Sequence, residues 1–369
     1  MKNTKYVLIV FLFLIPVVTS VAQVYHAYIS SYSKDDDTGI YIYQFNEKEG
    51  SLKFIDDVKE VRASSYLCLH PSGKYLYSVA FGEIAAFSID KKSGKLTLIN
   101  KRQTGKGPCY VSVDHTGQWV FVSNYPDGFI EVFHVEAGGA LGTEHQRILH
   151  SGSSVNKKRQ EAPHPHMITA SPANRFVIVP DLGADEIFVY RFDAETGMLR
   201  ANEPEGIKAE PGAGPRHFAF HSNGKYGYVL NELNSTVTAY RWNENAGVLS
   251  APETYLLLPA GFDGYNKSAD IHLTPDGKFL YASNRGHNSI TAFRVADDGR
   301  LKLIGRYPVR GDFPRNFYIT EKGKFLLVEN KHTGNIVVFG IHLQTGQLEY
   351  KNEAKGMIAP QCLKMLPVK

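Results

Sequence analysis

Six times along the chain a short hydrophobic strand runs into a tight turn, then, in most copies, Lys and an aromatic, then a second hydrophobic strand ending at Asn or Asp. The copies are SYLCLHPSGKYLYSV from Ser65, CYVSVDHTGQWVFVSN from Cys109, HMITASPANRFVIVPD from His166, RHFAFHSNGKYGYVLN from Arg216, ADIHLTPDGKFLYASN from Ala269 and RNFYITEKGKFLLVEN from Arg315. Their turn residues, Gly73, Gly117, Asn174, Gly224, Gly277 and Gly323, are 44, 57, 50, 53 and 46 residues apart. That period is proper to the blades of a β-propeller. Asn174 replaces Gly because Asn also tolerates positive φ.

Each copy continues into an alternating third strand (FIEVFHV, EIFVYRF, TVTAYRW, SITAFRV, NIVVFGI) and, after a Gly turn, a short outer strand (KSGKLTLI, ETGMLRA, NAGVLSA, DDGRLKL, QTGQLEY). Four strands per copy make a propeller blade. Near the N-terminus HAYISSYS, GIYIYQF and EGSLKFI supply three strands and no innermost one, and the segment Ala359 to Leu366 resembles the opening of the internal copies. The pattern therefore predicts an all-β, seven-bladed propeller in which the C-terminal strand closes the first blade, abolishing the open edge.

Composition agrees, since 21 Tyr, 21 Phe and 33 Gly suit many short strands joined by tight turns. The first 22 residues carry Lys2 and Lys5, an apolar run from Tyr6 to Val18, and small residues at Ser20 and Ala22. They read as a signal peptide, leaving residues 23–369 as one propeller domain in a periplasmic or secreted protein, with no stable membrane span once the leader is cleaved. The net charge is +4, two of which belong to the leader, so no nucleic-acid-binding stripe is implied. Three cysteines, Cys68, Cys109 and Cys362, show no paired spacing and imply neither a disulfide framework nor a metal site.

The repeat also indicates which residues face the central channel. Eight positions before each turn lie Ser65, Cys109, His166, Arg216, Ala269 and Arg315, joined by Gln361; after the second strand come Tyr32, Tyr125, Leu182, Glu232, Arg285 and Lys331. A His, three Arg, a Lys and a Glu thus meet at one funnel, a setting for a carboxylated or phosphorylated small molecule. The same residues also suit a wet channel in which Arg merely pairs with Glu232 or Asp181. The Asn and Asp that end the second strands read as turn-satisfying groups. The widest spacing inserts SGSSVNKKRQEAPHPH between blades three and four, ending at His164 and His166. A loop of that length is expected over the channel mouth, with Lys157, Lys158 and Arg159 read as solubilising charge.

At RQEAPHPH from Arg159, PDLGAD from Pro180, GPRHFAFHSNGKYGYVLNEL from Gly214 and TPDGKFLYASNRG from Thr274, the chain resembles the lactonase family of seven-bladed propellers. That family is named for 6-phosphogluconolactonase and includes fungal 3-carboxy-cis,cis-muconate lactonizing enzymes. The resemblance implies a cofactor-free, metal-independent hydrolase acting on a small anionic sugar lactone. It maps the muconate relatives' site onto His166, Arg216, Glu232 and Arg285 as catalytic residues. His164, Arg315, Lys331, Tyr125 and Asp181 are the expected substrate-binding neighbours. In this reading Glu232 or His166 is the general base, while Arg216 and Arg285 hold the carbonyl oxygen and the substrate's anion. The leader departs from the cytoplasmic setting of 6-phosphogluconolactone and points to other sugar-derived lactones. Two further readings stand beside hydrolysis: a non-catalytic binding propeller, and a cycloisomerase or lyase of the muconate type.

Overall fold

In a computed structural model, described over residues 23–33 and 38–368, seven four-stranded antiparallel sheets form a ring. The expected leader lies outside the described residues. Blade one has the strand order Pro360–Pro367, Val24–Ser31, Ile40–Asn46, Ser51–Val58, so its innermost strand comes from the far end of the chain. The two chain ends pair antiparallel from Tyr25 opposite Pro367 to Ser30 opposite Cys362. The innermost strands of blades two to seven are Tyr66–Leu69, Pro108–Val113, Thr169–Ala170, Pro215–Phe220, Lys267–Leu273 and Pro314–Ile319.

The repeated aromatic explains how blades stack. Trp119, Phe176, Tyr226 and Phe279 lie flat against the outer-turn glycines Gly197, Gly247, Gly299 and Gly346 of the next blade. A methyl group at Gly197 would come 2.4 Å from the Trp119 ring, and Gly197 has φ of +74°, so both space and backbone demand Gly. Tyrosines two residues further on hydrogen-bond across the same seam: Tyr77 to Gly139 O at 3.1 Å, Tyr228 to Gly299 O at 2.9 Å and Tyr281 to Gly346 O at 2.9 Å. Such bonds contribute about 1 kcal/mol each, and the apolar interblade clusters supply the rest of the packing.

Two local features position the channel residues. In blades one, three, five, six and seven the register slips where the innermost strand begins, leaving Gln361, Cys109, Arg216, Ala269 with Asp270, and Arg315 in β-bulges. A bulge twists the strand and re-aims its side chain, which is why a column of one residue per blade faces the axis. Blade four differs, because its innermost strand shrinks to Thr169–Ala170. Pro163 and Pro165 have no N–H to donate there. Pairing continues through single contacts, with His166 N donating to Pro180 O at 3.0 Å and Leu182 N to His164 O at 3.0 Å.

Candidate active site

The bulged column and the ends of the second strands enclose a cavity of about 560 Å³ at one mouth of the channel. That volume falls in the range of small-molecule sites. Its chemistry comes from His166, Glu232, Arg285, Arg315 and Lys331, joined by Tyr32, Tyr125, Arg159, Lys106 and Lys267. One carboxylate faces six cations.

Glu232 is nearly fully buried, and every strong bond it makes goes to a guanidinium. Arg159 Nη2 donates to Oε1 at 2.7 Å, while Arg216 Nε and Arg285 Nη2 donate to Oε2 at 3.0 and 2.8 Å. Burial alone would raise its carboxyl, but Arg285, Arg216 and Arg159 overcome that and hold it well below the usual carboxylate range. Glu232 is thus a counter-ion for three arginines.

Among the described residues, neither Arg315 nor Lys331 is ion-paired with an acid. Arg315 makes no hydrogen bond or ion pair among the described residues, and the Lys331 ammonium lies 4.9 Å from the centre of the Tyr32 ring. Burial, then Arg315 and Arg285, push Lys331 down to about 8; burial and Arg285 likewise depress Arg315. Neighbouring cations that repel one another, with Glu232 offsetting only part of this at Arg315, form an anion site.

His166 is buried at the cavity wall, and its ring nitrogens meet only Cys109 Sγ, 3.9 Å from Nδ1, among the described residues. Burial first, then Arg216, His217, Arg315 and Arg285, keep its proton affinity well below that of free imidazole. The ring is neutral at physiological pH and has a nitrogen free for a bound molecule. Cys109 is pushed up to about 11 by burial and stays a thiol.

Three sequence-derived candidates fall away from the cavity surface. Arg216 lies behind Glu232, 1% exposed, with its guanidinium taken by Glu232, His217 and Ala269 O. His164 backs Tyr125, stacked at 4.5 Å between centroids, and its Nδ1–H donates to Tyr125 O at 2.8 Å. Asp181 is fully buried and caps the blade-four turn by accepting from the N–H groups of His164, Gly183 and Ala184, while its other oxygen meets His150. A turn-holding carboxylate explains Asp181 without a ligand.

Arg159, expected as solubilising charge, is part of the site. The loop over residues 150–163 is pinned by buried Gln160, whose side chain donates to Leu182 O at 2.9 Å and accepts from Asn156 N at 3.1 Å. Ser154 Oγ adds a bond to Asp185 at 2.6 Å. From this base Arg159 reaches Glu232 and the Tyr125 hydroxyl, the latter at 3.0 Å. Its position in RQEAPHPH was the one available signal, since an unrepeated loop has no column to read.

The family described as Lactonase, 7-bladed beta-propeller matches residues 26–365. The chain belongs to the lactonase family. This lactonase-family hydrolase is 41% identical over 328 residues to the 6-phosphogluconolactonase of Formosa agariphila, covering 86% of this chain and 92% of that one. It is 34% identical over 348 residues to the 6-phosphogluconolactonase of Bacillus subtilis, covering 93% and 98%. Among solved structures, the periplasmic gluconolactonase of Pseudomonas aeruginosa is similar to the lactonase-family chain with a TM-score of 0.89 at 32% identity, over 94% of this chain and all of that one.

Proposed function

We propose that the protein hydrolyses an anionic sugar-derived lactone, an aldonolactone or phosphorylated aldonolactone, without a metal ion. The observation that carries this reading is the pair Arg315 and Lys331, neither ion-paired with an acid among the described residues, beside Arg285 in a cavity of about 560 Å³. The names of the relatives from Formosa agariphila, Bacillus subtilis and Pseudomonas aeruginosa support the same class of substrate.

In the proposed reaction His166 takes a proton from water as the water oxygen attacks the lactone carbonyl carbon. Arg285 and Arg315 stabilise the oxyanion, and the His166 imidazolium then returns the proton to the ring oxygen as the C–O bond breaks. His166 is preferred to Glu232 as the base because both Glu232 oxygens are occupied by guanidiniums. The depressed proton affinity of His166 suits this cycle, since an anionic substrate offsets the guanidinium field and moves the imidazole toward its working range. Lys331 and Arg159 are assigned to the substrate's anionic and hydroxyl groups. Residues 1–22 are proposed as a cleaved leader, so that the mature chain starts at Gln23 outside the cytoplasm and meets lactones there; N-terminal sequencing of the exported protein tests this.

The decisive assay is turnover of glucono-1,5-lactone, its 6-phosphate and glucuronate-derived lactones, with and without chelator, by wild type and His166→Ala. Chelator-insensitive turnover that falls by roughly 100-fold to 10,000-fold in the variant is expected from loss of a positioned base. Tight binding of the lactones without turnover would instead favour a receptor. Product lacking solvent oxygen would favour the lyase or cycloisomerase.

A further inference from the structure

The guanidinium of Arg216 connects the cavity to a polar chain that passes between the innermost strands of blades five, six and seven. Arg216 Nε donates to Glu232 Oε2 at 3.0 Å, and its Nη1 lies 3.0 Å from His217 Nε2. His217 Nδ1 lies 2.7 Å from Asp270 Oδ1. The other carboxylate oxygen of Asp270 receives His272 Nε2 at 2.8 Å, the Asn316 side-chain amide and Phe317 N at 3.2 Å. Asp270 occupies the blade-six bulge, where its own N–H is met by Ser283 Oγ at 3.0 Å.

This geometry fixes the proton on His217. An arginine can only donate, so His217 Nε2 must be an acceptor and the single ring proton sits on Nδ1, pointing at Asp270. Burial and then Arg216 push His217 down to about 3, against the pull of Asp270, so the ring stays neutral. Asp270 is ionised, its burial offset chiefly by the two histidines. The His217 ring also stands edge-on to His166, with centroids 5.3 Å apart and planes at 68°.

We propose that Asp270 and His217 are positioning residues for the reaction at the cavity: the carboxylate selects the His217 tautomer, and that tautomer orients Arg216 against Glu232 and leaves His166 beside a neutral ring. The inference rests on the lactonase reading, and it assigns work to two residues that touch no substrate. Asp270→Asn tests it by reversing one contact. Oδ2 faces three groups, His272 Nε2 and the fixed donors of Asn316 and Phe317, so the asparagine oxygen turns that way and its NH₂ faces His217. The His217 proton must then move to Nε2, where it opposes the Arg216 donor.

The experiment combines ring ¹⁵N spectra of histidine-labelled protein with steady-state kinetics of wild type, Asp270→Asn and His272→Gln. Wild type is expected to show a neutral Nδ1–H His217 from pH 5 to 9. In Asp270→Asn the tautomer reverses and kcat falls by roughly 100-fold or more, as expected for a misplaced imidazole proton. KM changes little, because Arg216 does not line the cavity. His272→Gln also removes a bond to Asp270 but leaves Oδ1 on His217, so its tautomer and kcat stay close to wild type. A wild-type His217 that is Nε2-protonated or titrates in this range overturns the proposal even if the variant fails to fold. So does a reversed tautomer with unchanged kcat, or an equal loss in both variants. A wild-type Nδ1–H ring in a protein that turns over no lactone would reject the lactonase reading while leaving the hydrogen-bonded chain in place.

Discussion

Arg159, carried on the loop between blades three and four, donates Nη2 to Glu232 Oε1 of blade five at 2.7 Å and so bridges the mouth of the channel. Its Nη1 is buried and meets no acceptor among the described residues. A buried donor without a partner costs about 1–3 kcal/mol, and a substrate hydroxyl or anionic oxygen in the cavity would relieve it.

Arg159→Met is therefore expected to raise KM for the lactone by roughly tenfold or more, the value of about 1.5–3 kcal/mol for a hydrogen bond to a charged group. Arg159→Lys should restore little, since an ammonium cannot serve Glu232, Tyr125 and a ligand as a planar fork does. Steady-state kinetics on the three proteins check this, with Tm as the control for folding.

Lys331 provides a pH signature. With its ammonium depressed to about 8, it is charged at pH 7 and largely neutral at pH 9. Affinity for an anionic product such as an aldonate phosphate should fall across that interval, and Lys331→Arg should abolish the fall because arginine keeps its charge. Calorimetric titration at the two pH values measures both.

Removing residues after Gly356 deletes the innermost strand of blade one and exposes the edge of Val24–Ser31. Unfolding or aggregation is expected. A truncated protein with normal solubility and melting would contradict closure by this strand.

Glu329 is completely buried, and neither carboxyl oxygen has a partner among the described residues. Burial, then Asp270, raise it well above its ordinary 4.5, against the opposing Lys364. The folded state therefore holds a proton that the unfolded chain releases above about pH 4.5, and stability is lost as pH rises toward the folded value. Glu329→Gln removes that loss, so its Tm should exceed wild type at pH 8 and converge with it at pH 4. An equal shift at both pH values would assign the effect to packing.

Repetition made much of this molecule readable. A bulge recurs at the start of the innermost strand in five of the seven blades, so counting back from the turn found Cys109, Arg216 and Arg315, matching the C-terminal strand added Gln361, and counting forward found Glu232, Arg285 and Lys331. Depth along the channel was not readable this way. Arg216 and Arg315 share a column, yet one is locked behind Glu232 while the other makes no hydrogen bond among the described residues, a difference set by neighbours in adjacent blades. His217, Asp270 and Asn316 stand one residue further along their strands, and that next column would have revealed three polar groups among hydrophobic ones. Asp181 was misleading because a buried turn carboxylate and a ligand-binding one look alike in sequence.

The bulges carry a last consequence. The side chains at the mouth leave their strands at a bulge, as Arg315 does, or at the end of a second strand, as Lys331 does, while the aromatic and glycine contacts that stack the blades lie outward of them. Mouth residues are thus interchangeable fittings on an unchanged frame. Replacing Arg315 or Lys331 alters the charge presented to a ligand without disturbing any seam between blades, so one scaffold can be refitted for a different acid one position at a time.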